Sequence, residues 1–496
     1  MNLRLPTDNE ICAAFEKGQG AVLDLFHDVS RQVQELAQQV AKQAAMLQEL
    51  QARLAKNSRN SSKPPSSDGY GKVKRTESLR KSGDKPNGGQ PGHKGVTLMA
   101  SAHPDRVESH EVPSCAHCQT SLAVIEAVGY EERQVFEIPA IRIEVTAHRA
   151  EIKVCPACGS TSKGTFPESV TQGVQYGPAV KTWASYFTNQ HHIPVERTAE
   201  IFEDLVQHRV SDATVLKASE QLELCIEPST EAVKGMLREA SVLHVDESGL
   251  RVTGKLFWLH VASTEGLTSY DVHAKRGQEA MEDAGILGKF NATAVHDHWK
   301  PYFKYNECDH ALCNAHHLRE LHFIEKQYQQ SWAADVADLL LEIKAAVEAT
   351  PKPAMSLSPS ELEAFETRYD AVLQSGFEAN PAPSVSPNVG EVKKRGRPKR
   401  PPPVNLLIRL RDFKAEVLAF MSDFRIPFDN NQGERDVRMV KVKQKVSGGF
   451  RTLEGARRFA RIRGYISTAR KNLKNVFEAI RDAFDGNPFI PSSAVQ

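Results

Sequence analysis

The chain has 496 residues, of which 40% are apolar, and its formal net charge at pH 7 is +1. A chain of this length can bury a large core and is expected to divide into about three domains. Its start, MNLRLPTDNE, has no apolar signal region, and no run of about 18 apolar residues follows, which argues against secretion and membrane insertion. The eight cysteines are too few for a disulfide-dense scaffold. We therefore expect a soluble, cytoplasmic, globular protein.

A helix within residues 1–56 is indicated by apolar residues that alternate at spacings of four and three. Only Gln43 interrupts the series. A seam of this kind, with one polar position, favours a short coiled coil and therefore a homo-oligomer. An amphipathic helix packed on its own domain is the alternative. The seam consists of Val29, Val33, Leu36, Val40, Leu47, Leu50 and Leu54.

Residues 57–105 are predicted to form a flexible, basic linker. Pro64 and Pro65 follow the predicted helix, and Ser, Asn and Gly are frequent throughout the segment. This composition favours extended or irregular backbone. The lysines of the linker fit contacts with DNA phosphates and simple solvation equally well.

Two CxxC pairs indicate a zinc-binding ribbon at residues 106–170. Two residues between thiols let one turn present both sulfurs to one ion, and two such pairs complete a closed, structural site for one Zn²⁺. The pairs are 155 − 118 = 37 positions apart, and the strand-like sequence RQVFEIPAIRIEVTAHRAEIKV between them is expected to form the ribbon. Four buried free thiols are the alternative. The predicted ligands are Cys115, Cys118, Cys155 and Cys158.

Residues 171–238 are predicted to be helical. Pro194 suits the first turn of a helix, and Ser211 is a plausible N-cap after the short break QHRV. A helix, a brief turn and a capped helix indicate a DNA-binding region that resembles a helix-turn-helix. Helices that pack without contacting DNA fit the same sequence.

Acidic residues at predicted strand ends suggest metal-dependent chemistry. Val242 to Val245 read as a buried strand that ends in Asp246 and Glu247, and a later strand, NATAVHD, ends in Asp297. The spacing, 297 − 246 = 51, is enough for an antiparallel meander that returns a strand beside the first. Both carboxylates would then project from one sheet edge and suit Mg²⁺, and a third would allow two ions at a phosphodiester. For either aspartate alone, a turn or N-cap role is the alternative.

Four motifs occur in a characteristic order: HVDESGLRV, HDHWKPYF, ALCNAHHLREL and FDNNQGERDVR. With the CxxC pairs, the N-terminal helix and the linker sequence NSRNSSKPPSSD, they make the chain resemble the insertion-sequence-66 family of bacterial transposases, a group within the DDE superfamily. The resemblance covers nearly the whole chain. It implies an RNase H-like catalytic domain that uses divalent metal to cut and join DNA at element ends.

Position by position, the resemblance implies that Asp246, Asp297 and Glu434 are the catalytic residues and the ligands of two Mg²⁺ or Mn²⁺ ions. Asp429, five residues before Glu434, competes as the third ligand and ranks below it. Glu247 is expected to support the site indirectly or to face solvent. The gap, 434 − 297 = 137, requires an insertion of helical composition.

Cysteine and histidine residues near Asp297 permit two interpretations. Cys313 and His316 have a spacing that recurs in related DDE enzymes. Cys308, Cys313 and histidines would form a second metal site, but ordinary packing at a helix start is the stronger interpretation. His296 and His298 flank Asp297 and are candidates for substrate contact by position alone.

Basic residues in the C-terminal third indicate a nucleic-acid partner. The segment KKRGRPKR, residues 393–400, resembles an AT-hook that places two arginines in a minor groove, with a generic basic tether as the alternative. From Glu434 to Lys474 there are 13 lysines and arginines against three acids. Such charge usually marks a solvated helix face, but beside an acidic site it suggests a wall for DNA phosphates. The predicted DNA-binding residues are Arg395, Arg397, Arg435, Arg438, Lys441, Lys443 and Lys445.

The predicted fold class is multidomain α/β. A coiled-coil helix, a zinc ribbon and a helix-turn-helix-like region precede an RNase H-like core, which is interrupted by a helical insertion and followed by basic helices. The predicted core comprises residues 239–315 and 425–450, the insertion 316–424 with a disordered loop at 376–403, and the C-terminal helices 451–496.

The predicted function is that of a DNA transposase that binds element ends and catalyses metal-dependent strand cleavage and strand transfer. A non-catalytic, zinc-containing DNA-binding regulator and a nuclease of the same fold that does not join strands are the alternatives. The complete acidic triad favours catalysis over regulation. The expected partners are element-end and target DNA, a second copy of the chain and, as further candidates, small accessory proteins of the same element.

Overall fold

The computed structural model describes residues 5–55, 98–381 and 400–492. Most of the predicted linker lies outside these ranges, as does the AT-hook-like segment up to residue 399, including Arg395 and Arg397. Within the described ranges, no helix combines the length and the apolar character that crossing a membrane requires.

The N-terminal region consists of a short helix and a long one, α1 (Asp8–Glu16) and α2 (Gln19–Ala55). Thr7 and Glu10 form a capping box that fixes the start of α1. The helix predicted for residues 29–54 is confirmed as part of α2. Its seam is largely exposed, with Val40 at 56% and Leu47 at 60% relative exposure, so this face remains available to a partner.

The cysteine-containing region has little regular structure. Its two strands, β1 (Ile152–Val154) and β2 (Thr161–Lys163), pair antiparallel. The strand-like sequence from 133 to 154 forms a strand only at its last three residues, so the prediction of an extended ribbon body is wrong for the remainder. Val135 and Val145 are 88% and 87% exposed, and alternating apolar residues form a stable sheet only where a partner buries them.

The helical region predicted after the ribbon is present. It contains α3 (Pro178–Ser185), a π-helical turn (Tyr186–Gln190), α4 (Val195–Val206), α5 (Asp212–Cys225) and α6 (Glu227–Arg238). Ser211 caps α5, since its side chain accepts a hydrogen bond from the Thr214 backbone N–H at 3.2 Å. The predicted N-cap is therefore confirmed, and Pro194 immediately precedes the first residue of α4.

A five-stranded mixed sheet forms the centre of the fold. Its strands are β3 (Val242–Val252), β4 (Lys255–Ser263), β5 (Thr268–His273), β6 (Thr293–His296) and β7 (Asp309–Leu312), arranged in the order β5-β4-β3-β6-β7. Strand β4 pairs antiparallel with both β3 and β5, whereas β6 pairs parallel with both β3 and β7. Helix α7 (Gln278–Ala284) lies in the crossover from β5 to β6.

Two details of the predicted sheet are wrong. Strand β3 continues to Val252, so Asp246 and Glu247 lie within it and not at its end. The strand before Asp297 returns beside β3, as predicted, but it runs parallel to β3. The continuous antiparallel pairing of β3 with β4 extends β3 well beyond the short segment that pairs with β6, which ends at His244.

In the described residues between the sheet and Ser422, five helices pack around a common apolar core. They are α8 (Asn314–Tyr328), α9 (Ser331–Ala349), α10 (Pro359–Ala379), α11 (Pro402–Asp412) and α12 (Lys414–Ser422). Trp332, Leu340, Tyr369 and Leu407 are among the fully buried residues of this core. The loop predicted at 376–403 is wrong at both described ends, because α10 continues to Ala379 and α11 starts at Pro402.

The C-terminal helices return to the sheet. They are α13 (Asn431–Val437), α14 (Met439–Ser447), α15 (Leu453–Lys471) and α16 (Val476–Phe484). Helix α15 packs on β5, where the Thr268 backbone N–H donates to Thr468 Oγ1 at 3.0 Å. Arg463 of α15 is only 8% exposed and donates to Gln190 Oε1 at 2.6 Å, so this arginine does not belong to the basic face that the sequence suggests as a wall for DNA phosphates.

The packing of Gly376 generates a stability prediction. A Cβ at this position would lie 2.5 Å from Leu407 Cδ2 and 3.0 Å from Trp332 Cδ2, and both neighbours are buried. We expect Gly376→Ala to lower the free energy of unfolding by about 1–3 kcal/mol because of overpacking. Urea denaturation followed by circular dichroism measures this change.

Gly235 in α6 provides the matched control. A Cβ there meets no atom within 4 Å. Gly235→Ala is therefore expected to be neutral or to stabilise the chain by up to about 1 kcal/mol, since alanine favours the helix. Equal effects of the two substitutions would contradict the packing of α10 against α11.

Candidate active site

Asp246 lies within β3, beside the point where the neighbouring strand β6 ends and Asp297 follows it. Asp246 is two residues beyond the last parallel pair, in which His244 faces Val295, and Asp297 directly follows β6. Backbone N–H groups hold both carboxylates: Glu247 N donates to Asp246 Oδ1 at 2.8 Å, and Trp299 N donates to Asp297 Oδ1 at 2.9 Å. The sheet therefore brings the two aspartates together.

Burial and mutual repulsion make both carboxylates unusual acids. Burial, followed by the charges of Glu247 and Asp297, raises the pKa of Asp246 well above its usual range. Burial and the charge of Glu247 raise the pKa of Asp297 to about 7. A group of carboxylates that repel one another away from water is stable as anions only when cations offset the charge.

Glu247 is part of a buried ion pair next to Asp246. Its side chain is 2% exposed and accepts hydrogen bonds from Arg276 Nε at 2.7 Å and from the Tyr302 hydroxyl. The Arg276 guanidinium in turn lies 4.1 Å from the centre of the Trp299 ring. The expectation that Glu247 faces solvent is therefore wrong, because this arginine and this tyrosine stabilise it inside the sheet.

Helix α13 brings Glu434 to the same region through Asn430. This asparagine is 2% exposed; its Nδ2 donates to Val245 O at 2.8 Å, and its Oδ1 accepts from His244 Nδ1 at 2.7 Å. Both bonds fix the start of α13 to β3, next to Asp246. The charge of Glu434 contributes to the raised pKa of Asp246, although burial, Glu247 and Asp297 contribute more.

The Glu434 carboxylate contacts α8. Arg319 Nη2 donates to both of its oxygens, at 3.1 and 3.3 Å, and His316 Nδ1 lies 3.7 Å from Oε1. Arg435 donates to Gln432 Oε1 instead, at 2.8 Å. Glu434 is thus paired across the fold and not with its neighbour in sequence.

Metal-binding donors meet most closely at Cys313, His316 and Glu434. Among the residues that the structure describes, this is the one group of three such side chains whose ligand atoms all lie within 4.8 Å of one another. The charges of Asp297 and Glu434 both act on Asp246, but within the described residues these three carboxylates do not form such a close group. Asp429 accepts a hydrogen bond from the Asn431 backbone N–H at 3.0 Å, as a helix-start residue does.

The other residues predicted near Asp297 are buried in packing roles. Cys308 lies apart from Cys313, in the apolar cluster that contains Tyr305, so the two cysteines do not form one site. His296 is fully buried and hydrogen-bonded to His310 at 2.9 Å, which excludes the predicted contact with substrate in this structure. His298 packs against the ring of Phe413.

The predicted DNA-binding residues on α13 and α14 differ in exposure. Arg435, Arg438 and Lys445 are exposed. Lys441 is half-buried and donates to Gly249 O at 2.7 Å. Lys443 is 9% exposed, and its ammonium group donates a hydrogen bond to Gly448 O at 2.9 Å, in the turn after α14. The prediction that Lys443 contacts DNA at the surface is therefore wrong.

Each CxxC pair forms the same tight turn. In the first, Cys115 N donates to Thr120 O at 2.9 Å, and in the second, Cys155 N donates to Ser160 O at 2.8 Å. The hydroxyl and backbone of Thr120, with help from Cys115, lower the pKa of Cys118 to about 7, which favours the thiolate that binds metal. Within the described ranges, no three of the four sulfurs lie within 4.8 Å of one another, so the structure leaves the two pairs apart.

Comparison with known families identifies the class of protein. Residues 173–458 match the model of the Transposase IS66 family, and residues 113–159 match the zinc-finger binding domain of transposase IS66. Residues 21–98 match a family of unknown function. No curated protein matches the chain.

The first match covers 458 − 173 + 1 = 286 of the 496 residues, which is more than half of the chain. The protein is therefore a transposase with a zinc-binding, DNA-binding domain. In particular, the chain belongs to the IS66 transposase family, which confirms the resemblance seen in the sequence motifs.

Residues that sequence reasoning missed support the acidic site. Arg276 and Tyr302 hold Glu247, Arg319 holds Glu434, and Asn430 attaches α13 to β3. Only Arg319 carried a local signal, since it follows His316 by three positions and therefore shares its face of α8. The other contacts join segments that are far apart in the chain.

The buried pair of Arg276 and Glu247 generates a second stability prediction. Arg276→Met leaves a 2% exposed carboxylate without its cation and is expected to lower the free energy of unfolding by about 3 kcal/mol. Arg368→Met is the control, because Arg368 and Glu342 are 52% and 51% exposed and such pairs contribute about 0–1 kcal/mol. Urea denaturation of both variants measures the difference, and equal losses would contradict the buried pairing.

Proposed function

We propose that this transposase cleaves a DNA strand at the ends of its insertion element and joins the freed 3′-hydroxyl to target DNA, with Asp246, Asp297 and Glu434 as its catalytic carboxylates. The observation that carries the proposal is the convergence of these acids from β3, β6 and α13, with the charges of Asp297 and Glu434 both acting on Asp246. The family membership supports the same reaction class.

The sheet topology supports an RNase H-like assignment for the catalytic domain. Three antiparallel strands are followed by two that run parallel to the first, with the acids on the central strand and directly after its parallel neighbour. Helices return from later in the chain to complete the site. This arrangement supports a catalytic centre between β3, the end of β6 and α13.

The residues present fit divalent cations. Asp246 and Asp297 accept hydrogen bonds from backbone N–H groups. Because both carboxylates are buried and repel one another, a bound cation would stabilise their ionised forms. Carboxylate oxygens are the ligands preferred by Mg²⁺ and Mn²⁺, and Asp246, Asp297 and Glu434 would hold two such ions. When bound, two ions supply activation of an attacking oxygen and charge stabilisation of a leaving oxygen.

The protein's own groups orient this site. Glu247 N and Trp299 N fix the two aspartate carboxylates, and Arg319 holds Glu434 at the start of α13. Their hydrogen bonds set the direction in which the carboxylate oxygens point before DNA arrives. Preorganisation of this kind lowers the reorganisation that the reaction requires.

Exposed basic residues next to the acids are proposed to bind the DNA backbone. Arg435, Arg438 and Lys445 lie on α13 and α14, on the helices that follow directly from Glu434. Contacts of this type give affinity without sequence preference and weaken with salt. Arg395 and Arg397 and the helix-turn-helix-like region α3–α5 are proposed as further DNA contacts, and accessory proteins of the element as further partners.

The four cysteines are proposed to bind one structural zinc ion. Each pair already has the backbone N–H pattern of a metal-binding turn, and the matched zinc-finger domain spans all four residues. Binding of one ion would draw the turns at Cys115 and Cys155 together and replace the missing apolar core of this region. The zinc finger then presents a stable surface to DNA.

Helix α2 is proposed to form a coiled coil with a second copy of the chain. Its apolar seam repeats with the coiled-coil period and is exposed over most of its length, as Leu36, Val40 and Leu47 show at 36%, 56% and 60%. A dimer would bury this seam and bring two catalytic sites to two element ends.

Substitution of the catalytic acids tests the proposed reaction. Asp246→Asn, Asp297→Asn and Glu434→Gln are each expected to reduce strand cleavage and joining by about 100-fold or more, because each removes a charged metal ligand. Labelled DNA ends taken from beside the gene, incubated with Mg²⁺ or Mn²⁺, measure cleavage and strand-transfer products. Binding of the same ends is expected to remain within a few-fold of the unsubstituted protein.

Asp429→Asn is the matched control and is expected to retain activity, because Asp429 serves the helix start. If the Glu434 variant kept full activity and the Asp429 variant lost it, Asp429 would be the third catalytic carboxylate. Cleavage without joining would identify a nuclease, and end binding without metal-dependent cleavage would identify a regulator.

A single acidic substitution tests self-association through α2. Leu36→Asp places a charge in the seam and is expected to reduce the mass measured by multi-angle light scattering to that of a single chain. Gln38→Asp, an exposed position outside the seam, is expected to leave the oligomer intact. A monomeric unsubstituted protein would contradict the coiled coil.

A further inference from the structure

A cluster of mixed donors lies beside the acidic site. Cys313 precedes α8, His316 lies in the first turn of that helix, and Glu434 lies on α13. One sulfur, one ring nitrogen and one carboxylate oxygen from these residues lie within 4.8 Å of one another. The set differs in kind from the oxygen-only donors of Asp246 and Asp297.

The interior of the cluster contains a polar atom without a partner. His316 Nδ1 is shielded from solvent and makes no hydrogen bond to any residue that the structure describes, although 22% of the whole side chain is exposed. It lies 3.7 Å from Glu434 Oε1, which is beyond hydrogen-bonding distance. A buried ring nitrogen of this kind costs free energy unless a ligand satisfies it.

The Cys313 sulfur is buried at the same place and is held by a backbone hydrogen bond. The residue is 1% exposed, and its Sγ accepts a hydrogen bond from the Asn430 backbone N–H at 3.1 Å. Burial raises the pKa of the Cys313 thiol to about 12, and the Asn430 N–H offsets only part of that effect. The thiolate therefore needs a bound cation beside it, as a metal-ligating thiol has. Two backbone bonds fix the turn itself, since Cys313 N donates to His296 O at 2.9 Å and His316 N donates to Cys313 O at 3.1 Å.

We propose that Cys313, His316 and Glu434 bind one transition-metal ion of the zinc class, separate from the ion of the zinc finger. Thiolate and imidazole ligands select zinc or cobalt over Mg²⁺. The thiolate and the carboxylate supply two negative charges, which offset the ion although Arg319 also contacts Glu434. The ion would join α8 to α13 and hold Glu434 on the α8 side.

This ion shares Glu434 with the proposed catalytic triad, but its binding does not depend on catalysis. The test therefore measures metal content, so that a failure of the catalytic assignment leaves its result unchanged. The purified full chain is dialysed against zinc-free buffer that contains excess Mg²⁺, and zinc per chain is determined by elemental analysis. We expect two zinc ions in the unsubstituted protein and one in Cys313→Ser.

Cys308→Ser is the matched control. Cys308 is a buried cysteine outside the cluster, and its variant is expected to keep both ions. Glu434→Gln preserves the shape of the side chain and is expected to weaken retention of the second ion, which separates loss of a ligand from misfolding. A single zinc ion per chain already in the unsubstituted protein, or two ions that both remain in Cys313→Ser, would overturn the proposal.

Cobalt spectroscopy assigns the ion to the cluster. A variant in which Cys115, Cys118, Cys155 and Cys158 are all serine is expected to bind one Co²⁺ with a sulfur-to-cobalt charge-transfer band. Adding Cys313→Ser to this variant is expected to abolish the band. A band that persists after that substitution would show that another thiol binds the ion and would overturn the assignment.

Discussion

The buried side chain of Asn430 is the contact on which the arrangement of the site depends. Its amide bonds to Val245 and His244 on β3, and its backbone N–H bonds to Cys313 at the start of α8. Three segments that are distant in sequence meet at this one residue. Because a buried amide must satisfy its donors and acceptor, the bonds restrict how α13 can approach the sheet and therefore where Glu434 lies.

Burial of the carboxylates of Glu247, Asp246 and Asp297 is unfavourable in free energy, and the surrounding groups offset this penalty to different degrees. Glu247 has a guanidinium and a phenol hydroxyl as partners, whereas the backbone bonds at Asp246 and Asp297 leave their repulsion uncompensated. The raised pKa of each aspartate is the physical sign of this difference. Structural pairing therefore stabilises Glu247, while Asp246 and Asp297 keep the unbalanced charge that their proposed role as metal ligands requires.

Much of the local structure followed from local sequence. The heptad period predicted α2, a serine predicted the start of α5, and an apolar run predicted the strand before Asp297. Predictions failed where a distant segment decided the outcome. Pairing with β4 extends β3 beyond Asp246, and Lys443 donates a hydrogen bond to the turn after α14. The predicted ribbon strands failed for the opposite reason, since no packed segment buries their apolar residues.

The sequence by itself determined the family, the order of the motifs, the residue types available for chemistry and most helices, because periodicity, caps and motif spacing are local properties of the chain. Some charged groups pair with residues one helical turn away, as Glu434 does with Arg438 at 3.6 Å, but only the tertiary structure decided which distant partners the buried charges have. Glu434 stands beside Arg435 in the sequence, yet it pairs with Arg319, 434 − 319 = 115 positions away, on another helix. Side chains at adjacent helix positions point in different directions, whereas packing of α13 against α8 brings these distant groups within hydrogen-bonding distance.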